Sequence, residues 1–124
     1  MAKILIVEDE GLIAADLKAI LEDIGHEVIG AVNNGISAVN LVKKKMPDII
    51  LMDINLKGNL DGIETAKMIQ DDNDIPVIYL TAYADQSKLL LAKDTWHFGF
   101  ISKPFDIRTL GLAVESGLKK CESR

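Results

Sequence analysis

Apolar residues in this chain fall into short unbroken runs, separated by longer stretches in which they recur every three or four positions. The runs Ile4-Leu5-Ile6-Val7, Val28-Ile29-Gly30-Ala31-Val32, Ile49-Ile50-Leu51-Met52, Pro76-Val77-Ile78-Tyr79-Leu80 and Phe98-Gly99-Phe100-Ile101-Ser102 have the length and composition of strands. Runs this free of polar alternation suit strands covered on both faces. Between them the period is helical. Ile13, Leu17, Ile20, Leu21 and Ile24 share one face of a helix that Gly25 stops as a left-handed cap. Ala38, Leu41 and Val42 mark a second helix, whose last turn holds Lys43-Lys44-Lys45, where cations complement exposed carbonyls, before Pro47. Asp61-Gly62-Ile63-Glu64 has the spacing of a capping box and opens a third helix running to about Gln70. Residues 85–94 are helical by propensity, and the triple Leu89-Leu90-Leu91 leaves at least one leucine off the core face, a hint of a contact surface. Asp106 caps a last helix in which Leu110, Ala113, Val114, Gly117 and Cys121 share a face.

Strand followed by helix, repeated along the whole chain, predicts an α/β fold: a parallel sheet with helices on both faces and right-handed crossovers. Every strand then delivers its last residue to one edge, where open α/β sheets place their ligands. The first strand delivers Glu8 and Asp9, with Glu10 completing an acid-rich turn and the first turn of the helix. The third delivers Asp53, the fourth Thr81, and the loop after the fifth Lys103. Each residue alone has an ordinary reading as a helix cap, a strand end or a solvated surface group. Together they place carboxylates close enough to raise one another's pKa unless a cation sits among them. A hard divalent ion with oxygen ligands, Mg²⁺ for preference, meets that need and brings phosphate oxygens with it. Lys103 and Thr81 can serve a phosphoryl group, which makes Asp53 a candidate carboxylate nucleophile forming an aspartyl phosphate.

Composition narrows the setting. At 124 residues, 48% hydrophobic and 27% charged, the chain reads as one globular domain spanning 1–124. A net charge of −5 argues against nucleic acid as a partner. The single cysteine, Cys121, excludes an intramolecular disulfide and fits a reducing compartment. With neither a signal-peptide core nor an apolar run long enough for a membrane span, the expected location is cytoplasmic, with no membrane partner.

The segments Ile4-Leu5-Ile6-Val7-Glu8-Asp9-Glu10, Asp48-Ile49-Ile50-Leu51-Met52-Asp53, Asp61-Gly62-Ile63-Glu64, Leu80-Thr81-Ala82 and Lys103-Pro104-Phe105, in this order, resemble the receiver domain of two-component response regulators over the whole chain. The resemblance implies a doubly wound, flavodoxin-like (βα)5 fold with strand order 2-1-3-4-5. It implies that Asp53 accepts a phosphoryl group from a histidine kinase or phosphotransfer protein. Asp9 matches the direct Mg²⁺ ligand, Glu8 acts mostly through metal-bound water, and the Asn55 backbone carbonyl completes the site with Asp53. Thr81 matches the switch hydroxyl, Lys103 the lysine that pairs with phosphoryl oxygens, and its bond to Pro104 is commonly cis in the family. Phe100 falls at the aromatic switch position, here without a tyrosine hydroxyl. The output surface is expected on helix four, strand five and helix five, facing a downstream protein or a second copy. Asn55 and Tyr83 occupy positions that modulate hydrolysis, Tyr83 by shielding attacking water. The chain departs from the family pattern at Lys57, where a proline is usual, and in one extra residue before Asp61, so the loop after Asp53 is expected to approach the site differently.

Two other classes compete. Mg²⁺-dependent phosphatases with an aspartyl-phosphate intermediate that resemble haloacid dehalogenases carry an acid–base aspartate two residues after the nucleophile, where this chain has Asn55, which cannot transfer a proton. A flavin-binding module of similar topology needs a phosphate-cradling loop after strand one, where Glu8-Asp9-Glu10 would repel the phosphate. The expectation is therefore a phosphoacceptor switch and not an enzyme in its own right.

Overall fold

The computed structural model describes residues 2–123, and the side chains of residues 83–87, 122 and 123 lie outside that description. Strands β1 (Lys3–Val7), β2 (Glu27–Val32), β3 (Ile49–Asp53), β4 (Val77–Thr81) and β5 (His97–Ser102) form one sheet in the order β2-β1-β3-β4-β5. Each neighbouring pair is parallel. The fold class expected from the alternation is the one observed. β3 and β4 are buried at every residue, as unbroken apolar strands in a covered parallel sheet must be.

The alternation of side chains along each strand divides the core in two. On one face Ile4, Ile6, Leu51, Ile78, Leu80 and Ile101 pack against Leu17 and Leu21 of helix α1 (Gly11–Asp23) and Leu110 and Val114 of helix α4 (Ile107–Ser123). On the other, Leu5, Val7, Ile50, Met52, Val77 and Tyr79 pack against helices α2 (Gly35–Lys44) and α3 (Gly62–Asp72) and against Ala92. Local signals fix the helix ends. Gly25 at φ +101° closes α1, with its own N–H on the Glu22 carbonyl and that of His26 on the Leu21 carbonyl. Asp61 and Glu64 form the expected capping box at α3, and Asp106 Oδ1 accepts from Thr109 N at the start of α4.

Two expectations give way. Glu8, Asp9 and Glu10 precede α1 and leave its first turn without an acidic residue, because Glu8 turns inward and accepts from the Glu10 N–H. The segment expected as the fourth α-helix is a 3-10 helix over Tyr83–Asp94. The physical reason lies in its apolar spacing. Leu89 packs on the core and Ala92 and Thr95 are buried, whereas Leu90 and Leu91 are 77% and 59% exposed. A spacing of three is the repeat of the tighter helix, whose side chains eclipse every third residue. Thr95 then ties the segment to the sheet, its hydroxyl 2.6 Å from the Ala92 carbonyl and 2.7 Å from Tyr79 Oη.

β5 carries a further irregularity. His97 aligns with Val77, but Phe100 aligns with Tyr79, so β5 holds one more residue than β4 across that interval. Gly99, at φ +114°, takes up the extra residue. At the start of the strand the Gln70 side chain serves as a backbone surrogate: Oε1 accepts from Trp96 N at 2.9 Å, and Nε2 donates to the Trp96 and Ile75 carbonyls.

Candidate functional site

Backbone pairing carries the chain past the strand ends and fixes where each functional side chain starts. Glu8 N bonds the Val32 carbonyl, Ile54 N the Leu80 carbonyl, and Lys103 N the Thr81 carbonyl at 2.7 Å. Glu8, Asp9, Asp53, Thr81 and Lys103 therefore stand on one edge of the sheet, as the strand pattern requires. The Lys103–Pro104 peptide is cis.

The structure brings four of these side chains together. Lys103 Nζ lies 2.6 Å from Glu8 Oε1 and 3.4 Å from Asp53 Oδ2. One carboxylate oxygen from each of Glu8, Asp9 and Asp53 falls within 4.8 Å of the others. Glu8 and Asp53 are buried and Asp9 is half-buried. Glu8 Oε2 and Asp53 Oδ1 take backbone N–H groups, from Glu10 and Asn55. Glu8 Oε1 is fully buried and touches the ammonium without a directed hydrogen bond. Burial, followed by a shared hydrogen bond and the charge of Asp53, pushes the Glu8 carboxyl up to about 7, against the downward pull of Lys103 and the Glu10 N–H. Burial acts to lower the Lys103 pKa, but Glu8 and Asp53 outweigh it and hold the ammonium above its ordinary range.

The donor set fits a divalent cation. Three carboxylates against one ammonium leave a formal surplus of two negative charges in a largely buried cluster, and all available ligands are hard oxygens. Mg²⁺ answers both the charge and the chemistry.

Other expected residues stand at the margin of the cluster. Thr81 is buried at its strand end, and among the described residues its hydroxyl makes no hydrogen bond to the carboxylates. Asn55 is exposed and reaches Asp53 through its N–H. Phe100 is 38% exposed and stacks on Tyr79, ring centroids 5.7 Å apart, and His97 touches both rings, 4.9 Å from Phe100 and 5.6 Å from Tyr79. The Tyr83 side chain, expected to shield water, lies outside the described residues. Lys57 is exposed, while Leu56 before it is buried and Gly58 after it turns at φ +103°. Two participants escaped sequence reasoning. Lys88 Nζ donates to Asn55 Oδ1 at 2.7 Å across 33 residues of sequence, a contact with no local signature. Gly62 presses its Cα against the Asp53–Ile54 peptide, a role hidden behind its visible one in the capping box.

The structure thus defines an α/β domain with a five-stranded parallel sheet and an acidic cluster and a lysine at its carboxyl edge. The response regulator receiver domain model matches residues 4–115, and the chain belongs to that family. It is 38% identical to the signal receiver domain of a modulated diguanylate cyclase from Desulfovibrio desulfuricans G20, with a TM-score of 0.92 over 98% of this chain and 97% of that one. It is 35% identical to sporulation initiation phosphotransferase F of Bacillus subtilis over 94% of this chain and 93% of that protein. The transcriptional regulatory protein PdtaR of Mycobacterium tuberculosis is 33% identical over 95% of this chain, which spans 57% of that regulator's length. Among the described residues no helix is long and apolar enough to cross a membrane.

Proposed function

We propose that residues 1–124 form one receiver domain in which Asp53 accepts a phosphoryl group from the phosphohistidine of a sensor kinase or phosphotransfer protein. The observation that carries this reading is the convergence of Glu8, Asp9, Asp53 and Lys103 on one sheet edge. An Asp53 carboxylate oxygen forms the new bond to phosphorus as the P–N bond to the donor breaks, and the leaving imidazole keeps the electron pair and takes a proton. The Asn55 N–H holds one Asp53 oxygen while Lys103 faces the other. Glu8, Asp9, Asp53 and the Asn55 carbonyl would hold Mg²⁺, which when bound offsets the charge of the incoming phosphoryl oxygens. Lys103 then pairs with a phosphoryl oxygen, and the Thr81 hydroxyl donates to another. Phe100 follows Thr81, and the surface formed by the 3-10 segment, β5 and α4 changes its fit for a downstream protein or a second copy. Exposed Leu90, Leu91 and Phe100 supply its apolar contacts.

A cytoplasmic location belongs to this reading, as does the absence of an independent enzymatic role: Asn55 stands where a phosphatase of the aspartyl-phosphate class needs an acid–base carboxyl. Incubation with Mg²⁺ and a small phosphodonor, followed by intact-protein mass spectrometry, tests it. One phosphoryl equivalent is expected on the parent and none on Asp53→Asn. Equal uptake by both proteins would sink the assignment.

A further inference from the structure

The loop after β3 is held on three sides. Ile54 N bonds the Leu80 carbonyl, the Ile54 carbonyl takes the Gly62 N–H, and Asn55 N bonds Asp53 Oδ1. The backbone of Asn55 is thus fixed against the acceptor carboxylate, so its side chain starts beside Asp53, and Lys88 meets its Oδ1 at 2.7 Å. A lysine ammonium carries only donors, so this bond commits the amide: Oδ1 must face Lys88, and the amide NH₂ is the hydrogen-bonding group left over. Lys88 is half-buried and sits one residue before Leu89, which anchors in the core, so it is carried on a positioned backbone. None of the ordinary receiver motifs in this chain includes Lys88.

We infer that Lys88 is a positioning residue that sets the orientation of the Asn55 amide beside Asp53 and thereby slows hydrolysis of the aspartyl phosphate. The inference rests on the phosphoacceptor reading given above. With Oδ1 occupied, the amide presents donors to the modified carboxylate, and donors stabilise the phosphoryl oxygens of the ground state. Released from Lys88, the amide turns freely and offers Oδ1 as an acceptor that orients an attacking water. In that hydrolysis the water oxygen bonds phosphorus, the O–P bond to Asp53 breaks, and the carboxylate is regenerated as the water loses its proton to solvent.

The test is the decay rate of the Asp53 phosphate in Mg²⁺ after removal of a small phosphodonor, measured on the whole chain by intact mass. Lys88→Met is expected to speed decay about fivefold, equivalent to about 1 kcal/mol, while the rate of phosphoryl uptake changes less than about twofold. Lys88→Arg, which keeps a donor-only head group, is expected to restore the slow rate. In an Asn55→Ala background, Lys88→Met is expected to have no further effect. Thermal unfolding of the variants guards against a merely structural loss, and a faster decay without rescue by arginine counts against positioning. If Lys88→Met acts equally with and without Asn55, Lys88 works on the phosphoryl group directly and the inference is overturned. If parent and Lys88→Met decay alike, it is overturned while the phosphoacceptor reading stands. If the parent takes up no phosphoryl group at Asp53, both fall together.

Discussion

Substitution of Gly62 by alanine isolates how tightly the start of α3 is pressed against the acceptor strand. A Cβ at Gly62 would lie 2.1 Å from the Asp53 carbonyl oxygen and 2.8 Å from Ile54 Cα, and both neighbours are backbone. Favourable contact begins near ~3.5 Å, so helix and strand end must part by roughly 1.4 Å. That opening stretches the Gly62 N–H bond to the Ile54 carbonyl, already 3.2 Å, beyond useful length. Overpacking at about 2 kcal/mol and one lost backbone hydrogen bond at about 1 kcal/mol give about 3 kcal/mol, or roughly 10 °C in Tm for a domain of this size. Gly11 supplies the control. It too is the first residue of a helix, but a Cβ there meets nothing within 4 Å. Gly11→Ala should therefore be neutral or slightly stabilising, since alanine is the better helix former. Urea unfolding followed by circular dichroism measures both variants. Equal midpoints for Gly62→Ala and Gly11→Ala would refute the close-approach reasoning. Because the displaced peptide carries Asp53, Gly62→Ala is also expected to weaken Mg²⁺ binding, and Gly11→Ala is not.

Two further outcomes follow from buried polar groups. Burial first, and then the charge of Asp61, push the Tyr79 phenol up to about 12 despite its bond to Thr95. Its folded pKa is thus raised: the stabilisation is complete below pH ~10 and drains away as pH climbs through ~12, about 3 kcal/mol in all. Urea midpoints of the parent should fall more steeply across that window than those of Tyr79→Phe, and parallel curves would contradict the assignment. Lys103→Met strips the ammonium from buried Glu8 and Asp53 and is expected to cost about 3 kcal/mol without divalent ions. Raising Mg²⁺ should narrow the gap between variant and parent in thermal unfolding, and a gap indifferent to Mg²⁺ would show that no cation shares the cluster.

Most of the fold was legible because its signals are local. Unbroken apolar runs marked the covered strands, Gly25 and the Asp61–Glu64 pair marked helix ends, and the strand ends then placed Asp53 among Glu8, Asp9 and Lys103. Residues 83–94 resisted, since helical propensity is silent about which repeat the core selects. Leu89-Leu90-Leu91 offers a core residue to an α-helix or a 3-10 helix alike, and the spacing to Ala92 and Thr95 decides only once the sheet is present. The acid-rich turn misled for a related reason: Glu8 could cap a helix, but the site claims its side chain. The Lys88–Asn55 bond was beyond reach altogether, joining the 3-10 helix after β4 to the loop after β3, whose meeting depends on strand order.

The additional residue at Gly99 works as a parity shift. Without it, Phe98 and Phe100 would point the same way; with it, Phe98 joins the layer beneath α1 and α4 while Phe100 lies over Tyr79. The strand therefore reaches Ser102 in step with Thr81, having begun in step with Val77, after using one residue more. A chimera that borrowed β5 from a relative lacking the bulge, spliced by residue count from His97, would exchange the faces of Phe100 and Ile101. It would also deliver the lysine that follows out of phase with the acidic cluster, so such a graft must be matched from the Lys103 end and gain or lose its odd residue upstream.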